Sequence, residues 1–190
     1  MAGVIQMSRF QAATAMLVVA LLSLTALPTD AAAKPGVGKC LWDALPQTSR
    51  DRYLETYATD GRTSANKFLT EGGPPAESRR LCGIAATRGL EAGEAFIAYA
   101  SLIGSGDQLS QKFGVDPTVL TRAWRALPLA DRARFAEDFV NLRTDKEAVA
   151  FRAEMIARAT RGIRLPAGSG VDARVLLVSL AMLDRIEPLI

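Results

Sequence analysis

Apolar positions along this chain recur three and four residues apart, the spacing of a helix face, and no segment settles into the strict alternation of a strand. Tyr53, Leu54 and Tyr57 share one face of a predicted helix that follows Pro46, and Phe135, Ala136 and Phe139 share the matching face after Pro128. Two stretches are more thoroughly apolar: 95–103, broken only by Ser101 and the Tyr99 hydroxyl, and 175–183. A helix apolar on all sides is one surrounded by others. These two therefore predict a central pair. The pattern as a whole predicts an all-α multi-helix bundle of about eight to ten helices, with little or no sheet.

Proline, glycine and capping residues divide that bundle. A short helix over 37–45 stops before Pro46, because the residue preceding proline is pushed out of the helical region. Asp60-Gly61 closes the next helix, and a further segment covers 63–70. Gly72-Gly73-Pro74-Pro75 predicts a loop, Pro75 and Glu77 a helix through Thr87, and Gly89 the start of the apolar helix. Gly104 to Gly106 reads as a linker before a short helix over 107–113. Asp116 and Pro117 open a helix to Leu127, a second amphipathic helix covers 130–142, and Thr144-Asp-Lys-Glu147 has the form of a capping box for a helix to about Arg161. The loop 165–170 then leads into the last helix, 171–187.

Superimposed on this pattern is a repeat. Trp42-Asp-Ala44-Leu45-Pro46 through Tyr57 returns as Trp124-Arg-Ala126-Leu127-Pro128 through Phe139, with seven of sixteen positions identical at an offset of 82. The repeat predicts an internal duplication: two similar helical units, 34–104 and 116–190, joined by 105–115. Each repeated residue has a structural task. Trp42 and Trp124 plug the core, Leu-Pro turns the chain, Arg52 with Glu55 and Arg134 with Glu137 form i, i+3 pairs, and Arg50 and Arg132 brace the corner. Because Arg50 and Arg132 recur at one structural place, they are also the candidate contacts for an anion or partner.

Cysteine usage and the N-terminus change the picture by pointing outside the cytoplasm. Arg9 precedes an uncharged run from Phe10 to Thr29, and Ala31-Ala32-Ala33 is a small-residue cleavage pattern, so residues 1–33 read as a signal peptide cleaved near Ala33. The rival reading is an uncleaved anchor, since the run approaches the roughly 20 residues of a membrane span. Pro28 and the lack of a following basic cluster favour cleavage. In an oxidising compartment Cys40 and Cys82 predict a disulfide, contributing about 2–4 kcal/mol.

Composition narrows the chemistry. The net charge of +3 is modest and both signs are mixed along the chain. With no histidine, the chain lacks the commonest general base and metal ligand, and with two widely spaced cysteines it lacks the usual zinc spacing. No catalytic, metal or cofactor residues are expected. Glu91 and Glu94, one turn apart, are the best-placed carboxylates, but both sit where negative charge favours the helix dipole, as does Asp172 at 171–187. An enzymatic alternative would need Glu91, Glu94 or Glu137 to converge with an arginine in a cleft. Residues 109–123, with Gly114-Val115 at the turn, resemble a helix-turn-helix DNA reader. The Leu-Pro-x-x-x-Arg corner resembles the opening of the DNA-reading region of sigma factors, where the turn motif follows the corner, whereas here it precedes the second copy. DNA binding is the remote alternative if the N-terminus is not an export signal; an exported chain implies no nucleic-acid partner. The first expectation is an exported periplasmic protein with a non-enzymatic interaction or structural role towards an envelope partner. The alternative is a small-molecule or lipid binder using a cleft between the two units.

Overall fold

The computed structural model describes residues 36–72 and 76–190. The expected signal peptide, 1–33, and most of the expected loop at 72–75 lie outside the described residues. Within them the chain is all-α: α1 (Val37–Asp43), α2 (Gln47–Gly72), α3 (Ala76–Leu81), α4 (Gly89–Phe113), α5 (Pro117–Arg125), α6 (Leu129–Val140), α7 (Lys146–Thr160) and α8 (Gly170–Ile186). Short 3₁₀ turns at Ala86–Arg88 and Glu187–Leu189 flank α4 and α8. No strand occurs among the described residues, and no described helix is long and apolar enough to cross a membrane.

The two apolar stretches do form the centre, with α4 packed along α8 more extensively than any other pair. Ala95 and Ala98 of α4 meet Leu183 and Ile186 of α8 in a small cluster between two larger ones. On one side Trp42, Tyr53, Tyr57, Leu69 and Phe96 bury together. On the other, Leu120, Trp124, Phe135, Met155, Leu176 and Leu177 do so.

The two Leu-Pro corners have the same local geometry. Leu45 donates its amide to Trp42 O at 3.1 Å and Arg50 to Pro46 O at 3.2 Å; Leu127 donates to Trp124 O at 3.0 Å and Arg132 to Pro128 O at 3.1 Å. Trp42 meets Tyr53 edge-on at 5.4 Å between ring centroids, and Trp124 meets Phe135 at 5.2 Å. Such edge-to-face pairs suit the ring quadrupoles, positive edge to negative face.

Several element boundaries differ from expectation. The expected linker at Gly104–Gly106 is helical: α4 runs without a break to Phe113. These small residues admit a neighbour, since a Cβ on Gly104 would lie 2.5 Å from the Tyr57 ring. The break expected at Asp60-Gly61 is present: Gly61 takes φ 83°, a positive φ that costs glycine little, and separates α2 into arms 47–60 and 62–72. The helix expected to reach Thr87 stops at Leu81, because Gly83 takes φ 70° and its amide turns back to Arg80 O. At the start of α7 the cap is Asp145, not Thr144: its carboxylate accepts from Ala148 N at 3.0 Å. A charged acceptor gains from the helix dipole as well as the hydrogen bond, which a hydroxyl cannot match.

The Cys40–Cys82 disulfide is formed, with Cα atoms 5.8 Å apart, and joins α1 to the turn after α3. It closes a separation of 42 residues. Constraining an unfolded loop of that size stabilises the fold by about 4 kcal/mol. Denaturant unfolding of the Cys40→Ser/Cys82→Ser double variant is therefore expected to show a loss near that size. Thiol labelling of the unreduced protein should find no reactive cysteine. Gly104→Ala is expected to cost about 1–3 kcal/mol through overpacking against Tyr57, measurable in the same unfolding experiment.

Candidate functional site

The repeated arginines lie at the two corners and are each engaged within the chain. Arg50 donates to Gln47 Oε1 at 2.7 Å and lies 3.9 Å from Asp43 Oδ1. Arg132 is ion-paired with Asp184 of α8, whose same oxygen accepts the Trp124 indole N–H at 3.1 Å. Arg132 keeps only 14% of its side chain exposed, and the Nε of both arginines is buried without a partner. Bracing the corner is thus their visible task, one locally and one across to α8.

The expected pairs one turn further on do not form. Arg52 lies over the Phe68 ring at 4.9 Å, and Arg134 lies over Phe151 at 4.2 Å while bonding Glu147 at 2.7 Å. A guanidinium stacked on an aromatic face also buries its aliphatic stem. An exposed i, i+3 ion pair offers only a few tenths of a kcal/mol in competition.

Of the candidate carboxylates, Glu94 lines a cleft that Arg62 also lines, whereas Glu91 and Glu137 do not line it. Glu91 takes a 2.9 Å bond from Arg88, and its own backbone amide, then Arg88, holds its carboxyl below the usual range. Asp172 sits in the first turn of α8, where burial raises its pKa and Lys112 partly offsets the rise. At the predicted helix-turn-helix, Gly114 closes α4 and Asp116 caps α5 by accepting from Thr118 N at 2.8 Å. Leu109, Val115 and Leu120 from this segment are all buried in the core.

A different place gathers unpaired chemistry. Between the second arm of α2, the N-terminal half of α4, the end of α6 and the middle of α8 lies an open groove of about 640 Å³. Its walls are mainly Leu69, Phe96, Ile97, Val178 and Met182, with Leu90 and Val140 at the surface. Leu90 is 85% exposed, so the apolar lining continues out to solvent. Contiguous exposed apolar surface of this kind marks a binding site more often than an isolated leucine does.

Two of the groove's polar side chains, Asn66 and Ser101, are linked by hydrogen bonds. The buried Tyr53 hydroxyl donates to Asn66 Oδ1 at 2.9 Å, and Asn66 Nδ2 donates to Ser101 Oγ at 3.2 Å. Ser101 Oγ also lies 3.3 Å from Asn66 Oδ1, so its hydroxyl can donate to that oxygen as well as accept from the amide nitrogen. Arg62, one turn before Asn66 on α2, lines the groove and forms no ion pair among the described residues. Burial pushes the Tyr53 phenol well above its ordinary pKa and pushes Tyr57 up to about 12, while the Arg62 charge opposes both shifts. Both phenols are therefore neutral near pH 7.

Sequence reasoning anticipated a cleft and singled out Glu94, one of its lining residues, but not Arg62 or Asn66. Ser101, a polar interruption in the 95–103 run, was the visible signal. Gly93 was a second: it occupies a helix interior, and a Cβ there would meet nothing within 4 Å. No protein-family model, curated protein or solved structure matches this chain.

Arg132→Met is expected to lower stability by about 1–2 kcal/mol, because it leaves the Asp184 carboxylate with only the Trp124 N–H. Arg50→Met, whose contacts are local and more exposed, should cost clearly less in urea unfolding.

Proposed function

We propose that this chain is an exported, non-enzymatic helical protein that holds a small, largely apolar ligand in the groove between α2, α4, α6 and α8. The observation that carries the reading is Gly93. Glycine inside a helix costs about 0.5–1 kcal/mol relative to alanine, and Gly104 and Gly38 justify that cost by close approaches that a Cβ would obstruct. Gly93 has no such neighbour. What its missing side chain does is leave the groove open.

The dimensions agree with a ligand site. Ligand pockets are mostly apolar clefts of about 300–1,000 Å³ with a few placed polar groups, and this groove has that size and that division. Its polar members are hydroxyls, an amide, a guanidinium and one carboxylate, Glu94. The hydroxyls, the amide and the guanidinium are hydrogen-bond donors that would orient a ligand. The broader expectation of an envelope interaction module narrows accordingly, with a small ligand in place of a protein partner.

Export to a periplasm or beyond is supported by two features. The apolar run ending at Ala31-Ala32-Ala33 has the layout of a cleaved signal, and a structural disulfide persists in oxidising compartments.

Gly93→Leu tests the reading. Leucine is a better helix former, so the variant should unfold no more easily than the parent and gain about 0.5–1 kcal/mol. Its side chain would occupy the groove. Binding of the neutral fluorescent probe N-phenylnaphthylamine should weaken at least tenfold in this variant; unchanged binding would overturn the groove as the ligand site.

A further inference from the structure

Groove polarity is sorted by position. Along α4 the lining runs from Leu90 through Gly93, Glu94 and Ile97 to Ser101, a span of about 16 Å at the helical rise of 1.5 Å per residue. Arg62, Asn66 and Ser101 stand together at one end, because Asn66 and Ser101 are hydrogen-bonded across α2 and α4 and Arg62 is one turn from Asn66. Towards the Leu90 end the lining is mainly Leu69, Ile97 and Met182, with the Thr70 hydroxyl next to Leu69 and Glu94 about two turns from Ser101.

The polar end offers donors. Arg62 carries five N–H groups and a fixed positive charge. Asn66 has its carbonyl oxygen occupied by the Tyr53 hydroxyl and retains a second amide hydrogen beyond the one aimed at Ser101. The Ser101 hydroxyl can rotate to donate as well. An acceptor-only anion satisfies such a set, whereas an ammonium would meet a like charge. The position of Glu94 fixes the direction, since an anionic head is repelled from that region and attracted to Arg62.

Resting on the groove reading above, we propose that the ligand is a single-chain amphiphile with a carboxylate head. The head lies against Arg62, Asn66 and Ser101, and the alkyl chain runs along α4 towards Leu90. The carboxylate accepts from Arg62 and from the free amide hydrogen of Asn66. The chain covers Leu69, Ile97 and Met182 and displaces water from them.

Displacement of N-phenylnaphthylamine from the intact, oxidised chain, at ligand concentrations below micelle formation, separates head from tail. Dodecanoate is expected to bind at least tenfold tighter than dodecanol, and dodecyltrimethylammonium more weakly than either. Arg62→Gln should reduce dodecanoate to the level of dodecanol while leaving dodecanol unchanged. Equal affinity of the three ligands for the parent protein would overturn the carboxylate head yet leave the groove reading standing. A preference that survives Arg62→Gln would overturn the assignment to Arg62. Failure of all three to displace the probe would count against the groove itself.

Discussion

The close approach of α4 to its neighbours is the constraint on which the rest of the structure depends. α4 presents Ala92, Ala95, Ala98 and Gly104 inward, and small residues let other backbones and rings come nearer than larger ones would allow. Gly38 of α1 packs against the Ala95 carbonyl, Tyr57 lies on Gly104, and Leu183 and Ile186 of α8 settle against Ala95 and Ala98. Dense packing at this helix joins the two larger hydrophobic clusters into one interior. Over the same stretch of α4, Leu90, Gly93, Glu94, Ile97 and Ser101 line the groove. Tight fit and open cleft share one length of the same helix.

The two corners show how one sequence pattern meets two different surroundings. Each places a tryptophan beside the following helix's aromatic ring and an arginine under the turn. Arg50 finds its partners locally, on Asp43 and Gln47. Arg132 reaches α8, where Asp184 also accepts the Trp124 indole N–H and so satisfies two buried donors with one oxygen. Asp184 lies near the C-terminal end of α8, so the second corner is tied to one helix of the central pair.

Function, in the proposed reading, follows from what packing leaves exposed. The Tyr53–Asn66–Ser101 chain of hydrogen bonds orders the polar end of the groove before any ligand arrives. Preorganised donors lower the ordering cost of binding. Burial keeps the two nearby phenols neutral, so Arg62 remains the dominant charge at that end. An apolar wall alone would accept any greasy molecule; the placed donors are what would discriminate.

Local sequence determined the helical class, the Leu-Pro corners, the Asp116 cap and the apolar character of α4 and α8, because helix periodicity, proline sterics and capping act within a few residues. The cysteine pair was likewise legible, since with two cysteines in the chain each has one partner to choose. Gly104–Gly106 was misread as a linker because glycine in isolation signals flexibility; only Tyr57, far away in sequence, shows that the same glycine admits a ring inside a continuous helix. Arg52 and Arg134 had plausible partners one turn away, and tertiary packing instead brought the Phe68 and Phe151 rings under their guanidinium groups. Arg62, Asn66, Gly93 and Ser101 carried no motif at all. Their convergence was decided by the packing of four helices, since a groove is a property of the space between elements, and no single element's sequence encodes it.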